Sequence, residues 1–512
     1  MVMSGTVRAD VEQILDALAS DRGREALTYG DRRLRAGEVL DEVHRLAHVL
    51  DGRVGPGEIV ALLGGNSPEM LIARWALNLL GAGVTQPHGG LSAQGQARIV
   101  DDVEAALVLV DPIALDTAAQ VVALARPVTT LGLGTTGPDD QPWRDLLLDA
   151  SDASTEALSS RARPSDVQQI RHTGGTTGHP KGIAYTFAHH LRMAQSHGAW
   201  AEQGPARMLL CTPSAHAGGG VADRLLARGG TVVLQEEFDA GAVLAALERE
   251  RITDTWLLPP LIYRLLDHPD LDRTDLSGLR NVIYGGAQAN PTRMAEAVRR
   301  IGPVFTQVYG QTEAGGISAL TREEHLDPAL LRTVGRVMPT TDVAICDDTG
   351  HRVPDGGRGE LWVRTGTEMD GYWRRPDLTA ETIVDGWVRT GDVAHLDDDG
   401  YLHLVDRVKD MIVVVGGHVY TSELEDTLME HAGVRQAAVF GAPDDDGSEA
   451  VHAAVVVRDD SLTGTELEKL VEAHRGAMYV PKEIAFVDEL PLTDIGKTDK
   501  KALRARLTPA AV

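Results

Sequence analysis

The chain has 512 residues, 43% of them hydrophobic, too many for a single core and enough for at least two. Its formal net charge of -26, from 49 Lys and Arg against 75 Asp and Glu, repels polyanions over most of the surface and argues against nucleic acid or an anionic membrane as a partner. The two cysteines, Cys211 and Cys346, stand far apart and outside any metal-ligand spacing, which excludes a disulfide framework or zinc site as the organising principle and fits a reducing cytoplasm.

The opening residues carry charges, Arg8, Asp10 and Glu12, where a signal peptide needs an apolar core. No later apolar run approaches the roughly 20 residues of a membrane span, so the expectation is a cytoplasmic protein without one. Apolar residues from Asp10 to Leu18 fall at helical spacing, Leu27-Thr28-Tyr29 reads as a short strand, and Ala36 to Leu50 reads as a helix. The buried-strand run Glu58 to Leu63 ends in Gly64-Gly65-Asn66 and precedes a helix from Pro68 to Leu80. This strand-turn-helix design predicts a parallel sheet, continued by Ala106 to Val110 and Val167 to Ile170.

The next stretch, Arg171-His172-Thr173-Gly174-Gly175-Thr176-Thr177-Gly178-His179-Pro180-Lys181-Gly182, packs glycines, hydroxyls and a lysine together. Glycines let backbone N–H groups turn toward an anion, threonines add donors and the lysine adds a point charge, so the run reads as a phosphate-binding loop. It is not a Walker loop, because His179 and Pro180 separate Gly178 from Lys181.

Beyond it, Met208 to Cys211 reads as a strand running into a turn through His216 and then the small-residue run Ala217-Gly218-Gly219-Gly220. A helix follows from Ala240 to Arg251, whose charges Glu248 to Arg251 read as a solvated face. The strand Asn281 to Tyr284 ends in Gly285-Gly286-Ala287, glycines that let another group approach the backbone. A second strand, Val304 to Val308, runs into Tyr309-Gly310-Gln311-Thr312-Glu313; taken singly, Glu313 reads as a carboxylate at a helix start. Short strands separated by turns then predict a small β subdomain, followed by Trp387 to Asp392 and Tyr401 to Asp410. Alternating strands (Ala437 to Phe440, His452 to Val457) and helices (Ser422 to Glu430, Gly464 to His474) predict a small C-terminal α+β unit, closed by Leu490-Pro491-Leu492-Thr493-Asp494-Ile495-Gly496-Lys497.

Five of these motifs, in this order, resemble the adenylate-forming superfamily of acyl-CoA synthetases, peptide-synthetase adenylation domains and luciferases, and the resemblance covers essentially the whole chain. It implies an α/β fold with a large N-terminal domain of parallel and mixed sheets flanked by helices, residues 1–408, and a β subdomain at about 335–405. A mobile α+β lid, residues 409–512, completes the chain. By the same resemblance, Thr173, Gly174, Gly175, Thr176, Thr177 and Lys181 hold phosphate, His216 borders the acyl pocket, and Gly285, Gly286 and Ala287 lie beside adenine. Tyr309 stacks near the adenine, Thr312 touches phosphate, Glu313 helps hold magnesium, and Asp392 and Arg407 meet the ribose. Lys409 is the hinge, Gly416 lines a pantetheine tunnel, and Lys497 is catalytic.

The chain departs from the family pattern at Gly174, where a serine is usual, at Ala217 to Gly220, where bulky residues are usual and an enlarged or reshaped pocket is expected, and at Thr421, where a proline is common. The implied reaction is ATP- and Mg2+-dependent adenylation of an aryl or medium-sized organic acid, followed by transfer to the thiol of CoA. Three alternatives stay open: a diazotase that adenylates nitrite and passes it to an arylamine, kept open by the small-residue segment Ala217 to Gly220, loading of a carrier-protein thiol, and a non-catalytic nucleotide binder. Retention of Glu313, Asp392, Arg407 and Lys497 argues against the last.

Overall fold

A computed structural model describes residues 10–138, 142–173, 181–196, 206–408, 410–414, 417–443, 449–458, 461–493 and 496–508. The chain divides into two compact units. The first is Met1–Leu257 with Arg273–Val282 and Gly366–Glu381; the second is Leu258–Asp272, Ile283–Thr365 and Thr382–Val512.

The first unit holds the predicted parallel sheet. Ile59–Leu63 and Leu107–Val110 are buried at every position and pair in parallel, as strands covered on both faces must be. The helix Pro68–Leu79 follows the first strand because Ser67 caps it, its hydroxyl accepting the Met70 N–H at 3.2 Å, and Pro68 supplies a preset first turn. Through Gly83–Thr85 the sheet reaches Val167–Thr173, which turns back antiparallel onto Lys181–Thr186. A second sheet of this unit places Glu25–Tyr29, Thr231–Leu234, Arg207–Leu210 and Asp254–Leu257 side by side.

The helix Ala240–Arg249 stops short of the expected end, and the solvated-face reading of its charge run is wrong at Glu250. That carboxylate is only 7% exposed, because Arg33 and Arg207 donate to it at 2.9 and 2.7 Å across the sheet edge.

The second unit contains the hairpin Phe305–Gln311 and Gly315–Leu320, the expected β subdomain, and the C-terminal α+β portion. The subdomain is a five-stranded sheet whose longest strand, Trp387–Leu396, pairs antiparallel with both Gly359–Arg364 and Leu402–Arg407. In the C-terminal portion Val434–Pro443, Glu449–Val457 and Glu483–Phe486 form a three-stranded sheet. Val439, Val451 and Val455 pack with Leu424, Leu428 and Leu467 of the helices Thr421–Met429 and Gly464–Arg475. Among the described residues no helix is long and apolar enough to cross a membrane.

Candidate active site

The phosphate-binding run is the connection of an antiparallel hairpin: Thr173 is the last paired residue of one strand, opposite Lys181, the first of the next. Gly174, Gly175, Thr176 and Thr177 lie outside the described residues. Lys181 therefore stands at the mouth of the loop, its ammonium 5.4 Å from the centre of the Tyr372 ring, a contact that leaves its charge intact for an anion.

In the same unit, buried Asn66 fixes the approach to His216. Its amide donates to the carbonyls of Thr212 and Gln235, each at 2.9 Å, and its oxygen accepts the Ser214 N–H at 2.9 Å. His216 is the N-cap of the helix Ala217–Leu226, and its ring lies 6.1 Å from that of His88. Ala217 to Gly220 form the first turn of this helix, and two of the three glycines leave no free space beside the backbone. A Cβ on Gly218 would meet the Thr212 hydroxyl at 2.6 Å, and one on Gly219 the Ser214 carbonyl at 1.8 Å, so both glycines are consumed by close packing. Only Gly220 leaves space, bounded by the Arg224 guanidinium 3.7 Å from where its Cβ would stand.

The second unit carries the remaining described candidates. Gly285 ends the strand Asn281–Gly285, and Gly286 follows with φ +78°, a conformation a side chain would strain. Ala287 continues the same partly open turn. The motif Tyr309 to Glu313 does not start a helix, as the single-residue reading of Glu313 had it. The strand continues through Gln311, and Thr312 and Glu313 occupy the tight turn into Gly315–Leu320. The turn is closed so tightly that a Cβ on Gly310 would lie 2.3 Å from the Gly315 carbonyl.

Three sequence candidates meet around Asp392, which is 6% exposed. The Tyr309 hydroxyl and the Gln311 amide donate to one carboxylate oxygen at 2.6 and 2.7 Å, and Arg407 pairs with the other at 2.8 Å. Register brings them together, since Asp392 and Arg407 are directly opposed on neighbouring strands. Burial and the Asp392 charge hold the Tyr309 phenol well above its usual pKa, so it stays a donor. Gln311 is the variable position of its motif and was not singled out from the sequence. Thr390 was also missed; its buried hydroxyl accepts the Asp392 N–H at 3.0 Å.

Of the closing motif, Thr493 and Lys497 form a tight loop in which the Lys497 N–H donates to the Thr493 hydroxyl at 3.1 Å and Gly496 takes φ +82°. A Cβ on Gly496 would lie 3.7 Å from Leu261, so this loop packs on the helix Pro259–Asp267. Lys409 and Gly416 lie outside the described residues. Thr421, where relatives have proline, keeps an N–H that donates to Asp406, and its hydroxyl accepts from Lys500 at 2.8 Å. Lys500 also pairs with Glu425 at 2.7 Å, so it is a fixed part of the C-terminal portion and not a loose basic tail.

The donor set fits a nucleotide. Asp392 keeps part of its accepting capacity on the oxygen facing Arg407, and Arg407, 44% exposed, keeps N–H groups in excess of those it spends on Asp392 and the Thr390 carbonyl. Among the described residues there is no group of three or more His, Cys, Asp or Glu that would cage a metal. Magnesium bound through one carboxylate and substrate phosphates requires no cage, and Glu313 lies in a partly exposed turn.

Residues 15–373 match the AMP-binding enzyme family and residues 423–497 its C-terminal domain. A medium/long-chain-fatty-acid–CoA ligase of Mycobacterium tuberculosis is 36% identical over 97% of this chain and 90% of its own. A feruloyl-CoA synthase of Amycolatopsis is 35% identical over 96% of both. The structure of an amide bond synthetase from Marinactinospora thermotolerans superposes with a TM-score of 0.89 at 38% identity, covering 98% of this chain and 99% of that one. The chain therefore belongs to the AMP-binding enzyme family and is an AMP-forming ligase of the adenylate-forming fold.

Proposed function

We propose that the protein activates a small aryl or medium-chain carboxylic acid as its acyl-adenylate and then transfers the acyl group to the thiol of CoA. The observation that carries the nucleotide part is the buried Asp392 carboxylate fixed by Tyr309, Gln311 and Arg407, a preset acceptor for ribose hydroxyls. The carboxylate oxygen of the acid attacks the α-phosphorus of ATP, the bond to pyrophosphate breaks, and pyrophosphate leaves. In the second half the sulfur attacks the acyl carbonyl, the carbon–oxygen bond to AMP breaks, and the thiol proton passes to base.

The first half brings anions together in a protein whose formal charge is -26, so cations must be local. Lys181 at the loop mouth and Arg407 beside Asp392 fit that need, and Lys497 is the third, delivered by the C-terminal lid. Glu313 and the phosphates would hold magnesium, which would supply the Lewis acid. The lid begins at Lys409, and its rotation there removes Lys497 and brings Gly416 to the thiol path.

A second reading is favoured by the similarity to the amide bond synthetase: the same acyl-adenylate passed to an amine nitrogen instead of a sulfur. The nitrite reading loses the support that Gly218 and Gly219 had lent it, since packing accounts for both. Pyrophosphate release by a panel of acids and nitrite, each with CoA, a pantetheinylated carrier or an amine, separates these outcomes. Acid-dependent release with a CoA thioester product is expected; release without thioester but with amide would move the acceptor to the amine.

A further inference from the structure

The helix Thr421–Met429 opens on a backbone that would accept proline. Thr421 is its first residue, where a missing N–H costs the helix nothing, and Tyr420 before it is extended at φ -87° and ψ 117°, as a residue preceding proline must be. Threonine at this position leaves one N–H that the helix does not use and adds one hydroxyl, on a residue only 1% exposed.

Both groups are spent on the strand Leu402–Arg407, which precedes the lid. The Thr421 N–H donates to one oxygen of Asp406, and its hydroxyl donates to the other at 3.3 Å. The same hydroxyl accepts from the Lys500 ammonium at 2.8 Å, and that ammonium pairs at 2.7 Å with Glu425, one turn along the helix. Glu425 in turn accepts the Val439 N–H at 2.8 Å, which anchors the ion pair in the three-stranded sheet of the C-terminal portion. Beside Thr421, the Ser422 hydroxyl donates to the carbonyl of Val405. Bonds to ionised partners, such as those on Asp406 and Lys500, are the strong ones.

Three functional segments meet in this knot. Asp406 precedes Arg407, whose N–H donates to it at 2.7 Å and whose guanidinium pairs with Asp392. Thr421 stands five residues after Gly416, and Lys500 three residues after Lys497. The knot also straddles Lys409, with Val405 and Asp406 before it in the chain and Thr421, Ser422, Glu425 and Lys500 after it. A rotation of the lid about Lys409 carries the second group away from the first and breaks the bonds between them.

We propose that Thr421, with Asp406 and Lys500, is a positioning latch that holds the lid in the orientation of this structure and so sets the balance between the two half-reactions. This rests on the two-position lid proposed above and adds the residues that weight one position against the other. A bond made in only one of two conformations shifts their populations by its full strength. Loosening the latch therefore slows the half-reaction that uses this orientation relative to the one that uses the other.

The test measures two rates in each variant: acid-dependent pyrophosphate exchange, and thioester formation from preformed acyl-adenylate and CoA. T421P removes the N–H and the hydroxyl while keeping a residue suited to the helix start, and T421V removes the hydroxyl alone. The ratio of the two rates should change by about 10- to 100-fold in T421P, as for a lost hydrogen bond to a charged group, and by less in the same direction in T421V. T421S keeps both groups and should keep the wild-type ratio. A purely structural role would lower both rates together, so an unchanged ratio in T421P and T421V overturns the latch. If K409P retains both halves equally while T421P still shifts the ratio, the latch stands and the pivot lies elsewhere between Asp406 and Thr421. Should no acid support pyrophosphate exchange, the acid-activating function fails, and hydrogen exchange decides the latch on its own. Peptides covering the strand Leu402–Arg407 and the start of the helix should then exchange about 10-fold faster in T421P and T421V than in the wild type, and equal exchange overturns the latch.

Discussion

Asp392 already receives three hydrogen bonds, from Tyr309, Gln311 and Arg407, before any ribose is present. Its task is therefore to offer one remaining, rigidly aimed acceptor while the three donors hold the carboxylate still. D392N keeps the shape and removes the charge, and ATP binding should weaken about 10- to 100-fold, read as KM for ATP with the acid saturating. Lys497 acts in one half of the reaction only. K497A should slow acid-dependent pyrophosphate release by about 100- to 1000-fold. Thioester formation from preformed acyl-adenylate should fall far less, and equal loss in both assays would remove the lysine from adenylation.

At this scale the sequence was legible where a motif is unbroken. Tyr309, Asp392 and Arg407 could be named as a group from their motifs, and the register of Asp392 with Arg407 then brings two of them face to face. Gln311 was not legible, because it occupies the position the motif leaves free and its role comes from the strand facing it.

At the scale of the element, the small-residue run Ala217 to Gly220 reads from sequence as a change in the pocket, and packing of the helix accounts for two of its glycines. Close contact of this helix with Thr212 and Ser214 leaves no room for side chains at two of the three positions, which is why glycine stands there. G219A places a methyl where the Ser214 carbonyl stands, 1.8 Å away, and should destabilise the protein by about 1–3 kcal/mol. G220A should be close to neutral, and equal denaturation midpoints for the two variants would contradict this account.

A second element, the helix Thr421–Met429, carries half-buried Asp426, which accepts from Asn290 at 2.9 Å near Glu425, Arg332 and Arg475. Burial raises its pKa from 3.8 to about 7. The folded protein therefore holds this proton more tightly than the unfolded chain, a stabilisation present below the ordinary pKa and lost as pH rises through about 7. D426N does not titrate, so its stability relative to wild type should improve by on the order of a few kcal/mol between pH 4 and pH 8. Thermal midpoints of the two proteins that move in parallel across that range would contradict the assignment.

At the scale of the molecule, the parallel sheet, the β subdomain and the C-terminal α+β portion all follow from runs whose hydrophobic period is unambiguous, which is why the fold class could be read from sequence. What period cannot reveal is how pieces distant in sequence share a compact unit. The helix Pro259–Asp267 and the closing loop near Gly496 are more than 200 residues apart and touch through Leu261. The two halves of the proposed reaction need the lid in two positions, and K409P should separate them. Adenylation measured by pyrophosphate exchange should survive better than thioester formation, and equal retention of both would remove the hinge from Lys409.

The measurement that bears most directly on the whole account is pyrophosphate and AMP release by the purified protein over a panel of mono- and dicarboxylic acids, with and without CoA. The account predicts acid-dependent pyrophosphate release without CoA and stoichiometric AMP and acyl-CoA when CoA is added. No release with any acid, or release that requires nitrite instead, would contradict it.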